Sequence, residues 1–490
     1  MIVDSPSAAI VSDTVKRLLP WLVAVAFFME SLDTTILNTA VPSVAAALQV
    51  APLSMKAVLA SYTLSVAVFV PISGWLADRF GTRHVFSGAI GLFTLGSLFC
   101  GLSSDIHVLV ASRILQGLGG AMMVPVGRLT LVRTFPKDEL VRAMTFVAMP
   151  ALIGPMIGPV AGGFIVHYLH WRAIFFVNLP IGAIGLYLVW RHLPDYRAER
   201  SDPLDWVGLL LFSSGIALLS YVLEIFGEHS LSGSWIAALI ALSLALLLAY
   251  GLHAMATTRP LLRLSLFAVR TFRAAGVGSF VTRIGAGGVP FLLPLLYQTG
   301  LGFTPVQSAL LILPQPVAAL SLKFLVPTIL KRFGYRTVLI INTLVMGGMI
   351  GLFSTIGPAT PIVVIVAQAF VFGFSSSLQY SSMNTLVYAD IPDRDASMAS
   401  TMASTLQQMS LSFGVAAASL AAALFLPDRF NSSPPQMIHG IHLAFLALGA
   451  MTLLSTVVFA SLSPGDGAMV SRRAGDALAH SSVQLGGEAR

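Results

Sequence analysis

Five ionisable side chains stand out as deep inside apolar stretches of this 490-residue chain: Glu30, Asp33, Arg113, Arg283 and Lys323. A charge at the centre of a bilayer costs roughly 2.5–3.5 kcal/mol on insertion scales, so each is a candidate for function. Glu30 and Asp33 stand three residues apart and share a helix face. Counted at about 1.5 Å per residue, Asp33 falls ~10–15 Å below one membrane surface, and Arg113 reaches the same depth from that side. An acid and a base at one depth can pair. Burial and a guanidinium act on such a carboxyl in opposite senses, and a site balanced between them can take up and release a proton near neutral pH. The alternative is a structural ion pair between two helices. Arg283 is expected near mid-membrane and Lys323 about 12 Å from the opposite surface. With Arg113 they set three positive interior charges against two negative ones. A cavity of that balance suits an anion, unless the extra cations only balance Asp33 and Glu30.

These residues need a scaffold of membrane spans. The chain is 56% hydrophobic and only 10% charged, against about 25% charged in a soluble domain. The apolar residues run unbroken for long enough to cross a ~30 Å hydrocarbon layer. They do not alternate as barrel strands would. Fourteen spans are predicted, at 18–41, 55–77, 84–103, 107–131, 141–166, 171–191, 204–226, 234–255, 273–298, 305–330, 336–356, 361–388, 397–426 and 439–462. Basic residues such as Lys16, Arg79, Arg83, Arg133, Arg191, Arg263, Arg270, Lys331 and Arg336 lie in the tails and every second loop. The positive-inside rule then puts both termini in the cytoplasm. The +7 net charge is a topology signal, and no nucleic acid is expected. The single cysteine, Cys100, allows no disulfide framework. The first apolar run is too long for a cleaved signal peptide.

A repeat divides the chain. Arg79-Phe80-Gly81-Thr82-Arg83 follows the second span, and Arg332-Phe333-Gly334-Tyr335-Arg336 follows the tenth. Repeated bundles are a transporter signature. The expected units are an N-terminal tail (1–17), a six-helix bundle (18–192), two additional helices (203–257), a second six-helix bundle (272–463) and a disordered cytoplasmic tail (464–490).

Several stretches carry a family resemblance. Gly74 to His84, with Asp78, Arg79, Gly81 and Arg83, resembles the loop 2–3 signature of the major facilitator superfamily. Arg113-Ile-Leu-Gln116-Gly117-Leu-Gly119 is similar to its fourth-span motif. Gly154-Pro155-Met-Ile-Gly158-Pro159-Val-Ala-Gly162-Gly163 resembles the motif of antiporters. Leu32-Asp33-Thr34-Thr35-Ile-Leu-Asn38 and Trp171-Arg172-Ala-Ile-Phe175-Phe-Val-Asn178 resemble the fourteen-span drug:proton antiporter branch. In the second half Lys331 stands where the repeat has Asp78.

The resemblance implies an all-α polytopic fold that alternates access across the inner membrane of a bacterium, exporting small amphiphilic molecules such as drugs against inward proton flow. Asp33, Glu30 and Arg113 are the expected proton-coupling residues. Asp78, Arg79, Gly81 and Arg83 are the expected gate, with Asp78 latched onto the start of the thirteenth span near Ala396. Gly154, Pro155, Gly158, Pro159, Gly162 and Gly163 are expected to serve conformational change through close helix approach and missing backbone donors. Arg283, Lys323, Asn38 and Gln116 are the expected substrate contacts. The rival substrate class is an organic anion such as citrate or a metal–carboxylate chelate. A monomer working with substrate, protons and membrane lipid is expected, with no cofactor, no metal site and no enzymatic activity. No nucleotide-binding motif occurs, since Gly117-Leu-Gly119 has neither the strand nor the Lys-Ser/Thr of a phosphate loop.

Overall fold

A computed structural model describes residues 13–197, 203–225, 232–323, 325–392, 395–425 and 433–467. The expected disordered tail falls almost wholly outside these, as do residues 1–12 and loop cations such as Arg200, Arg394, Arg429, Arg472 and Arg473.

Every regular element among the described residues is helical. The spans are α1 (Lys16–Ala47), α2 (Pro52–Phe80), α3 (Thr82–Leu102), α4 (Ile106–Thr134), α5 (Lys137–Tyr168), α6 (Ala173–His192), α7 (Trp206–Leu223), α8 (Gly233–Ala256), α9 (Arg270–Gly300), α10 (Pro305–Leu322), α11 (Tyr335–Thr355), α12 (Ile362–Leu386), α13 (Ala396–Phe425) and α14 (Pro434–Ala460). Thirteen of these are long and apolar enough to cross a membrane on their described residues. The fourteenth, α5, is a 32-residue helix carrying Pro150, Pro155 and Pro159. With no strands among the described residues, this is an all-α polytopic membrane protein. A helix closes its backbone hydrogen bonds within itself, which a bilayer requires of a spanning segment.

The tenth span is shorter than the predicted 305–330. It ends at Leu322, and a separate amphipathic helix, Val326–Phe333, carries the chain to α11. Pro71 and Pro290 mark the irregular turns within α2 and α9, where a missing N–H breaks the ladder.

The repeat seen in the sequence reappears in the backbone. Gly81 and Gly334 both adopt positive φ, +94° and +73°. Each ends one helix and starts the next within a single residue, a conformation that disfavours a Cβ.

Packing follows the same symmetry. α1 packs on α5 as α9 packs on α13, α2 on α4 as α10 on α12, and α3 on α6 as α11 on α14. The two sets meet along α2–α13 and α5–α10. α7 and α8 pack on each other, and α7 touches both α2 and α13. At the end remote from the described termini the halves are sealed. Val44, Leu53, Val58, Leu292, Tyr297, Ala418 and Phe445 belong to one buried apolar cluster there. Ser412 and Ser419 of α13 donate to the Ala60 and Leu53 carbonyls of α2, and Gln298 donates to Thr39 O at 2.9 Å.

Candidate functional site

Asp33 lies at the centre of a buried polar network contributed by α1, α2, α3, α4 and α6. Arg113 donates to Asp33 Oδ2 at 2.5 Å and to Gln116 Oε1 at 2.6 Å. Gln116 Nε2 donates to Asp33 Oδ1 at 2.8 Å and to Ser97 at 2.7 Å. Asn178 donates to Asp33 Oδ1 at 3.1 Å. The Tyr62 ring lies 4.4 Å from the guanidinium carbon of Arg113. Asp33 and Arg113 are each 1% exposed. A buried pair survives when further hydrogen bonds satisfy its remaining lone pairs and protons, and this one meets that condition. The charges expected at equal depth on spans 1 and 4 are therefore brought together.

Glu30 belongs to a different environment. It lines a cavity of about 420 Å³ with Phe27, Arg128, Asn384, Gln407 and Gln408, on the side of the described termini. Arg128 is exposed into this space, with its guanidinium carbon 5.7 Å from the Phe27 ring. It was not among the candidates drawn from the sequence, although it falls inside the predicted span 107–131 and is a visible charge in an apolar run. Tyr62, Ser97 and Asn178 were also not among those candidates. For Tyr62 and Ser97 the only signal is polarity within an apolar helix, which many structural residues share; Asn178 also ends the 171–178 stretch of the family resemblance.

A second cavity of about 470 Å³ lies between the halves. Thr35, Asn38, Pro155, Pro159, Gln315, Lys323, Tyr380 and Asn384 are among its lining residues, and among the described residues no carboxylate lines it. Asn384 lines both cavities. Of the expected substrate contacts, Asn38 and Lys323 line this space. Gln116 does not; it is consumed by the Asp33 network. Arg283 stands behind the wall, with Nε on Ser279 at 3.0 Å, a terminal nitrogen on Asn384 at 3.4 Å and the Tyr380 ring 4.0 Å from its guanidinium carbon. No acid partners Arg283 among the described residues.

The α5 glycines face α1 at a spacing of four. A Cβ at Gly154 would strike Ser31, one at Gly158 would strike Thr35, and one at Gly162 would strike the Ile36 carbonyl. Thr39 donates to Pro159 O at 3.0 Å, a side-chain bond that ties α1 to α5 at the same seam. Gly163 faces the other half, where a Cβ would lie 2.7 Å from Pro305 O.

At the loop 2–3 motif, Asp78 accepts from Arg133 of α4 at 2.6 Å. Among the described residues the expected latch to the start of α13 is not made: Asp78 pairs within its own half. Arg79 is exposed. Gly81 and Arg83 are held beneath the segment after α6, where the Arg83 N–H donates to Asp195 at 3.1 Å and the side chain lies over Trp190.

Two bundles related by a repeat, sealed at one end around a central cavity, define a secondary transporter. A family model described as Major Facilitator Superfamily matches residues 23–415, and the chain belongs to that superfamily. It is a membrane transporter and not an enzyme. A protein of Pectobacterium carotovorum subsp. carotovorum (strain PC1), named as multidrug resistance protein MdtD, is 43% identical over 447 residues, 90% of this chain and 93% of that protein. Its namesake in Klebsiella pneumoniae (strain 342) is 41% identical over 456 residues, 92% and 96% of the two chains. Among solved structures, an inward-facing bacterial homologue of the human lysosomal transporter Spinster superposes with TM-score 0.66 at 13% identity, covering 92% of this chain and 98% of that one. A D-xylose–proton symporter gives TM-score 0.66 at 15% identity, covering 92% and 99%. At such identities the likeness is one of fold.

Proposed function

We propose that this transporter exports small amphiphilic molecules, drugs among them, in exchange for protons, with both termini in the cytoplasm. The observation that carries the reading is the position of Asp33. It is a fully buried carboxylate on the helix that also supplies Thr35, Asn38 and Thr39 to the central cavity. Taking up a proton there would cancel the charge that holds Arg113, Gln116 and Asn178. A change in that network would be felt along α1 and, through the glycine contacts, along α5. The names of the relatives support the substrate class. The test is substrate-induced proton movement in proteoliposomes, measured with cationic dyes and carboxylate anions. Export that runs unchanged when the pH gradient is collapsed would overturn the reading.

One observation favours a second substrate class. Lys323 is a cation in a cavity whose lining residues include no acid. A cavity of that kind attracts anions. Under this reading the cargo is an organic carboxylate, and the proton coupling is unchanged.

A further inference from the structure

The two copies of the repeat differ in how their charges are compensated. In the first, Asp78 accepts from Arg133, and Asp195 receives the backbone N–H of Arg83, pairs with Arg197 and lies 3.3 Å from His84. In the second, Lys331 occupies the place of Asp78. The acid that follows the last helix, Asp466, accepts from two nitrogens of Arg270, Nη2 at 2.6 Å and Nε at 2.9 Å. Lys331, Arg332 and Arg336 therefore have no acidic partner among the described residues; the Nε atoms of Arg336 and of its counterpart Arg83 are both buried without a hydrogen-bond partner there, so the two turns differ in the charge at Lys331 and Asp78.

An apolar groove adjoins this basic turn. It is about 560 Å³ in volume and runs between α11 and α12. Ile329 and Phe333 of the short amphipathic helix form one end, and Val345 and Phe370 the other. From Thr337 to Val345 it extends about 12 Å along the helix axis. Phe333 and Ile341 are more than half exposed and face the bilayer. Apolar chain length beneath a cluster of cations at the interface is the complement of one chemistry.

We propose that this turn and groove bind an anionic phospholipid, with an acyl chain between α11 and α12 and the phosphate on Lys331, Arg332 and Arg336. The site is independent of the transport pathway and of its proton coupling. The corresponding turn of the first half is less basic, because Asp78 stands there in place of Lys331.

Native mass spectrometry of the detergent-purified chain tests this, using dioleoyl phosphatidylglycerol against dioleoyl phosphatidylcholine. Wild type should retain phosphatidylglycerol in preference. The triple variant Lys331→Ala, Arg332→Ala, Arg336→Ala should bind it roughly tenfold more weakly or worse, given the attraction of each basic residue for an anionic headgroup. Val345→Trp keeps every charge and lies on an exposed face; it should also lose the lipid, by filling the groove. Equal retention of the two lipids by wild type, or unchanged phosphatidylglycerol binding in the Val345→Trp protein, would overturn the proposal. So would competition by millimolar glycerol 3-phosphate, which would mark a surface patch for soluble anions.

Discussion

Asp33 and Thr35 are two residues apart on α1, yet Asp33 is sealed against Arg113 while Thr35 lines the central cavity. One helix thus carries the buried charge on one face and the cavity wall on another. Asp33→Asn should insert and fold, because the amide keeps the size and some hydrogen bonds of the carboxylate. Export driven by a pH gradient should fall to the level of empty liposomes. Arg113→Ala should be more damaging, since it strands Asp33 as a lone buried charge at a cost of about 3–5 kcal/mol. Efflux assays with melting curves separate the two effects. Wild-type export by the Asp33→Asn protein would remove Asp33 from the coupling mechanism.

Gly163 touches Pro305 where α5 meets α10, at the sealed end. Gly163→Val adds volume where the halves must close, and overpacking of this kind costs about 1–3 kcal/mol. The variant should favour the state open at that end. Labelling of Lys323→Cys from the side of the termini should then fall several-fold; the native Cys100 is buried and should not react. Unchanged labelling would mean that this seam does not report the transition.

Asp78 and Arg133 pair within the first half, on the side of the described termini. Both side chains are partly exposed, and such pairs contribute about 0–1 kcal/mol. If Asp78 acts as a latch in the alternate state, Asp78→Asn should slow turnover severalfold with substrate affinity unchanged, and Arg133→Ala should do less. Equal effects from the two variants would reduce Asp78 to a local ion pair.

The fourteen helices, their repeat and the interior charges were legible in the sequence because a bilayer admits few alternatives: apolar runs must be helices, and buried charges are conspicuous. Equal depth permitted the pairing of Asp33 with Arg113, and the structure makes it. Depth does not give azimuth, however. Gln116 lies one turn from Arg113 and turns into the Asp33 network, whereas Asn38 turns into the cavity. Helix rotation also set Arg283 behind Tyr380 and Asn384 and gave Arg128 the cavity next to Glu30. Asn178 was unreadable as a partner of Asp33, since the two are 145 residues apart.

Asp466 closes the second half by gripping Arg270. Partial burial pushes its carboxyl up, but the Arg270 guanidinium and the Ser463 N–H pull it further down, so it ends below its usual value. A depressed carboxyl contributes stability that is present above the unfolded value of about 3.9 and is lost as pH falls through the folded value. Asp466→Asn should therefore lower the melting temperature at pH 7. The gap to wild type should narrow once the pH drops below about 4. A gap that is constant from pH 7 to pH 3 would show that the ion pair does not stabilise the fold.

Lys323 is the residue at which the proposed substrate charge can be tested. It lines the cavity with Asn38, Gln315 and Tyr380 and has no acid partner among the described residues, so its counter-charge must come from solvent or cargo. If the cargo is a carboxylate, Lys323→Ala should cut its export about tenfold or more, the scale of one lost charged hydrogen bond. Lys323→Glu should abolish it, and export of a cationic dye should hold or rise. Arg283→Ala should act differently, because Arg283 does not line the cavity. It supports Tyr380 and Asn384 from behind, and its loss should disturb the wall for every cargo alike. Arg283→Lys should rescue only partly, since an ammonium cannot reproduce a planar group stacked on the Tyr380 ring while bonding Ser279. The deciding measurement is one panel of dyes and carboxylates run on both alanine variants. Equal loss of cations and anions in the Lys323→Ala protein would remove the anion reading and leave amphiphilic drugs as the cargo.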